Sequence, residues 1–207
     1  LQAAYTICSA MCAFSVNQSG IEHDLFSLSI EANSLKALVT DLMQESAQIS
    51  LQLAGANGYR LDHLAGRAVV DSRPFQIFEG SNEMLYGQIA DAVIKAMRKA
   101  KESNLLSYLK VYTRTDKSIT FFEKAFDFTL DSSLKQRDSF ILGSMLARLI
   151  CFQMVLDMDG YNAQLVEITK QHMHRDLTMF NGHFVSNNTA DPTLSYTENS
   201  DWANFII

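Results

Sequence analysis

Apolar residues recur at helical spacing through most of the chain, and no stretch alternates polar with apolar as a half-buried strand does. Residues 2–18 form one helical pattern, rich in Ala, Cys, Met and Phe and ended by Gly20. Residues 24–53 form a longer one, with Leu28, Leu35, Leu38, Leu42, Ile49 and Leu53 in step and Asn33-Ser34 as a point of interruption. Residues 55–80 carry Gly55, Gly58, Gly66, Gly80 and Pro74 with no clear helical face, so a long loop is predicted there. Ser81 then caps a helix over about 82–100, with Leu85, Ile89, Val93 and Met97 on one stripe and a basic last turn.

The second half reads as short helical segments at about 104–113 and 117–131, then long helices at about 135–158 and 161–181. Asp131-Ser132-Ser133 and residues 157–160 are the breaks. The run from Phe140 to Met158 is apolar on most faces, which suits the centre of a bundle; Arg148, Gln153 and Asp157 argue against a transmembrane segment. Phe121, Phe122, Phe126 and Phe128 are predicted core aromatics. The tail after Gly182 reads as extended, anchored by Trp202 and Phe205. The fold class predicted is all-α: an up-down helical bundle over 1–101, incomplete at its N-terminus, followed by a second helical bundle over 102–207.

An apolar content of 47% across 207 residues supplies a packed core and excludes disorder. A net charge of −6 excludes nucleic acid as a partner. Neither end reads as a targeting sequence. Three cysteines are too few for a disulfide framework and read as small core residues in a reducing, cytoplasmic setting. Cys8 and Cys12 lack further ligands in sequence reach, and His172 and His174 fall on different helix faces, so no metal site is predicted. His23, His63 and His183 carry no motif. The glycosylation acceptor at Asn187-Asn188-Thr189 is moot in a cytosolic protein.

The candidate chemistry lies in Phe75-Gln76-Ile77-Phe78-Glu79-Gly80-Ser81-Asn82-Glu83, where one carboxylate precedes a helix start. Apolar neighbours would exclude water and raise its basicity, whereas a helix N-terminus favours the charged form. Glu79 is therefore either a base or a helix-entry acid.

The segment Gln52 to Glu83 resembles the C-terminal helical domain of the flavin-dependent acyl-CoA dehydrogenases. Gln52-Leu53-Ala54-Gly55-Ala56-Asn57-Gly58-Tyr59 is similar to a Gln helix end followed by a Gly-Gly-Asn-Gly-aromatic loop. Asp71 stands where the family has an isolated acid, and Gln76-Ile77-Phe78-Glu79-Gly80-Ser81 is similar to its Gln-Ile-Tyr-Glu-Gly-Thr. The separation of Gln52 from Glu79 agrees without a gap, and Lys36-Ala37-Leu38 with Asp41 fits the preceding helix. The likeness covers residues 1–101 and leaves 102–207 without a counterpart in short-chain members.

The resemblance implies α,β-dehydrogenation of an acyl-CoA thioester, with Glu79 as the catalytic base and FAD as cofactor. It implies that Gln52, Leu53, Ala54, Gly55 and Ala56 contact the FAD of a neighbouring subunit. Ser81, Asn82 and Glu83 would contact the FAD of the same active site, and Phe78 and Gly80 the substrate. The partners implied are the N-terminal and β-domains of a parent enzyme, electron-transfer flavoprotein or a similar acceptor, and further copies in a homo-oligomer. The chain thus reads as a C-terminal fragment that does not turn over alone. Ala56 replaces a usual glycine, Glu83 a usual glutamine and Phe78 a usual tyrosine. An acyl-CoA oxidase with the same base, or a non-catalytic helical interaction module, stays open. Asp71 reads as a structural acid bonded to loop amides, and Arg67 and Arg73 as salt-bridge formers, with the steering of CoA phosphates as the alternative.

Overall fold

The computed structural model describes residues 1–18, 20, 25–130, 134–158, 160 and 162–185, with backbone only for Leu25, Phe26 and residues 183–185. Eight α-helices and a single isolated bridge pair, Asn104 with Thr129, make up its regular structure together with short 3-10 turns. The four long helices of the bundle's centre are α1 (Gln2–Gln18), α2 (Ser29–Leu53), α4 (Asn82–Ala100) and α7 (Gln136–Asp157). Short α3 (Leu64–Ser72), α5 (Leu105–Leu109) and α6 (Glu123–Phe126) sit in the connections, and α8 (Ala163–Val185) follows α7. Trp202, Phe205, the Asp131-Ser132-Ser133 break and the glycosylation motif lie outside the described residues.

Local chemistry explains these elements. Ser81 accepts the amide of Met84 at the start of α4, and Lys101 closes it in the left-handed region at φ 58°, with its amide on Arg98 and that of Glu102 on Met97. Asn104 caps α5 by accepting the amide of Ser107 at 2.8 Å. The predicted break at Asn33-Ser34 does not occur. Ser34 donates to the Ile30 carbonyl four residues back, and Asn33 reaches across to Gln88, so neither competes with the helix. The predicted loop over 55–80 holds α3 and two 3-10 turns instead. His63 caps α3 by accepting the amide of Ala65.

α7 is buried from Ile141 to Val155 and packs against α1, α2, α4 and α8. It is long and apolar enough to cross a membrane, and that surface faces the protein interior. Ile89, Ala90 and Val93 of α4 meet Leu142, Met145, Leu146 and Leu149 of α7 in one continuous core. The bundle that α7 centres is therefore built largely from helices of the first half, and the core runs unbroken across residue 101. Close approach is possible because Gly143 has no side chain: a Cβ there would lie 1.8 Å from the Tyr86 carbonyl oxygen. Of the predicted core aromatics Phe126 and Phe122 are buried and Phe121 is exposed. Among the cysteines Cys151 is buried, Cys8 half-buried and Cys12 exposed, all three as free thiols.

Candidate active site

Glu79 closes the turn between the 3-10 segment Arg73–Gln76 and α4. Its backbone sits at φ 59°, and Gly80 follows at φ 95°. Among the described residues only Glu79 and Lys101 are non-glycine residues at positive φ. For Glu79 this conformation costs about 1–2 kcal/mol, so the surroundings must impose it.

They do so through a polar cluster on α2. Asp41 Oδ1 accepts from Gln76 Nε2 at 2.7 Å and from Asn82 Nδ2 at 2.6 Å. Asp41 Oδ2 accepts from the Tyr86 hydroxyl at 2.6 Å. Lys36 Nζ donates to the Gly80 carbonyl at 2.7 Å and to Asn82 Oδ1 at 2.9 Å. Asn82 also donates to the Ala37 carbonyl at 3.0 Å. The residues on either side of Glu79 are thus tied to one face of α2. The amides of Ile77 and Phe78 both donate to the Pro74 carbonyl and tighten the approach.

The Glu79 side chain is exposed, where apolar neighbours had predicted burial. Phe75, Ile77, Phe78 and Met84 are exposed beside it in the chain. They do not fold over the carboxylate because their turn is held against α2 by its polar atoms, not by its side chains. The Glu79 amide donates to no group among the described residues.

The other predicted residues divide. Ser81 is half-buried and occupied as the N-cap of α4. Asn82 is 4% exposed, and its side chain is committed to the α2 cluster. Glu83 is exposed in the first turn of α4. Gln52, Leu53, Gly55 and Ala56 are exposed at the far end of α2, and Ala54 is half-buried. Gln52 lies sixteen residues beyond Lys36 on α2, about 24 Å at the helical rise of about 1.5 Å per residue. The two motifs are therefore not brought together within one molecule. Asp71 pairs with Arg67 at 3.2 Å on the surface, one helical turn away, and accepts from no loop amide among the described residues, because it sits within α3 and faces outward. Arg73 donates to Gln76 Oε1 at 2.6 Å.

Tyr86 is the residue that the sequence reading missed. Its only signal is a phenol on the buried stripe of α4, where a hydroxyl must find a partner. Burial first, then the negative charge of Asp41, pushes its phenol well above the ordinary tyrosine range, so at neutral pH it stands as an O–H donor.

A family model described as Acyl-CoA dehydrogenase, C-terminal domain, matches residues 1–94. The match spans residues 1–94 of the 207, and that part of the chain is similar to the acyl-CoA dehydrogenase C-terminal domain. No curated protein matches the chain. The family is generally FAD-dependent. Gly55 adopts φ 57° with open space where a side chain would stand. Ala56 is not in the left-handed region, so its methyl group is no hindrance to that backbone. The first amides of α4 lack partners within the helix, as at any helix start.

Proposed function

We propose that this chain supplies the catalytic base and part of the FAD-binding surface of an acyl-CoA dehydrogenase. The reading rests on one observation above all: Glu79 is held in the left-handed region by ties to α2 on both sides, with its carboxylate free. A plain helix-entry acid has no need of such a conformation. Glu79 takes the α-proton of an acyl-CoA thioester, and the C–H electron pair enters the new double bond as the β-hydrogen leaves as hydride. FAD, when bound, supplies the acceptor for that hydride. The free amide of Glu79 donates to the thioester carbonyl and steadies the negative charge that gathers there. The acyl chain lies against Phe78 and Gly80 and covers the carboxylate. Loss of water then strengthens Glu79 as a base.

Ser81, the Asn82 backbone and Glu83 lie beside the FAD of the same site, and Gln52, Leu53, Ala54, Gly55 and Ala56 reach that of a neighbouring copy. The separation along α2 supports this division, because the two segments of one molecule face different places. The protein then works as a homo-oligomer in the cytoplasm, passing electrons to electron-transfer flavoprotein or a similar acceptor.

The test is Glu79→Gln in the flavin-loaded parent enzyme that contains this chain. Turnover of an acyl-CoA falls by at least about a hundredfold while FAD absorbance is retained. Near-normal turnover by this variant would remove Glu79 from the mechanism.

A further inference from the structure

We propose that Tyr86 is a positioning residue for Glu79, through which α7 and α8 hold the base in place. The proposal rests on the reading of Glu79 as the base. It adds a role for residues beyond 101, where the family match has already ended.

The connection is continuous. Asp41 is a single carboxylate that grips the Glu79 turn twice, through Gln76 three residues before the base and Asn82 three residues after it. The orientation of that carboxylate is set by its other oxygen, which accepts from Tyr86. Tyr86 is 1% exposed, so it cannot touch a substrate, and its place is decided by what packs against it. On the other side stands α7. Gly143 abuts the Tyr86 backbone, and the Phe140 ring meets the Tyr86 ring edge-on at 5.7 Å. Arg148, one turn further along α7, is buried close enough to act on Tyr86 and Asp41 electrostatically. It is fixed in turn by Asp176 of α8, to which its Nε donates at 3.0 Å, and by the Ser144 carbonyl. A shift of α7 is thus transmitted to the Tyr86 hydroxyl, from there to Asp41, and onward to both ends of the Glu79 turn. A network of this kind acts as a unit when every member is satisfied.

Tyr86→Phe in the flavin-loaded parent enzyme breaks one bond of the network and leaves the ring in place. Flavin reduction is followed by rapid mixing with an acyl-CoA carrying hydrogen or deuterium at the α-carbon. The step sensitive to the α-deuterium slows about tenfold or more, as small displacements of a reacting group do, and the KM for acyl-CoA stays within about twofold. Amide exchange of residues 77–83 quickens while α2 stays protected. Phe140→Leu, which loosens the α7 side without touching a polar group, moves both readouts in the same direction. A variant Tyr86→Phe that melts earlier but keeps the isotope-sensitive step and the exchange of residues 77–83 unchanged overturns the proposal. If Glu79→Gln retains turnover, the base assignment fails instead. In that case the exchange readout still decides whether Tyr86 governs the turn.

Discussion

The two faces of α4 and its neighbours behave in opposite ways. Toward α7, Ile89, Ala90 and Val93 are wholly withdrawn from water, and a missing side chain at Gly143 lets the backbones nearly touch. Over residues 53–84 the chain leaves Leu53, Tyr59, Leu61, Leu64, Val70, Phe75, Ile77, Phe78 and Met84 in solvent, Tyr59 at 91% and Leu64 at 81% exposure. An exposed apolar group gains nothing from folding, whereas a fully buried large one contributes about 1.5–3 kcal/mol. The first region is therefore where the fold draws its stability. The second keeps apolar side chains and a strained backbone at its own cost, as surfaces that must receive something commonly do.

Substitutions on the two sides should separate stability from activity. The largest effect is expected for Phe152→Ala, which empties a fully buried site between Phe121 and Phe122. Denaturant unfolding should show a loss of about 3–5 kcal/mol. A loss below about 1 kcal/mol would mean that α7 is less tightly embedded than its burial indicates.

A smaller effect concerns alkaline pH. The folded-state pKa of Tyr86 is raised above that of the unfolded chain, so its contribution is complete below about pH 10 and declines as pH rises beyond it. Stability should fall by up to about 1.4 kcal/mol per pH unit from this one group. The difference in unfolding free energy between the wild type and Tyr86→Phe should shrink above pH 10, and a constant difference would contradict the burial of this phenol.

The smallest effect is expected at Glu79→Gly. Glycine accepts positive φ freely, so stability should be unchanged or should rise by up to about 1 kcal/mol, while dehydrogenation is lost. A marked drop in melting temperature would show that the carboxylate serves the fold instead.

The legibility of the sequence follows the same division. Helices with an apolar stripe and a polar cap were readable almost to the residue: α1 begins and ends where its pattern does, and α4 starts at the Ser81 cap. α3 was not readable, because its inner face is made of the small residues Ala65, Gly66 and Ser72 while Leu64 and Val70 point outward. The apolar run in α7 indicated a bundle centre but not which helices would surround it, since an all-round apolar helix names no preferred face. At the site, the spacing of Gln52, Gly55, Glu79 and Gly80 carried the family likeness. The inward turn of Asn82 and the outward turn of Glu79 depend on hydrogen bonds to Lys36 and Asp41, some forty residues away, which no local pattern encodes.

The placement of α7 also bears on how the molecule is made. Gln18 and Gln136 are separated by 118 residues, yet α1 and α7 pack side by side. During synthesis α1, α2 and α4 leave the ribosome with a greasy slot between them and nothing to fill it. Folding can finish only when a segment more than a hundred residues downstream is threaded in, a long-range closure that is slow and leaves time for wrong associations. A gene trimmed where the family likeness stops would encode the walls of that slot without its wedge.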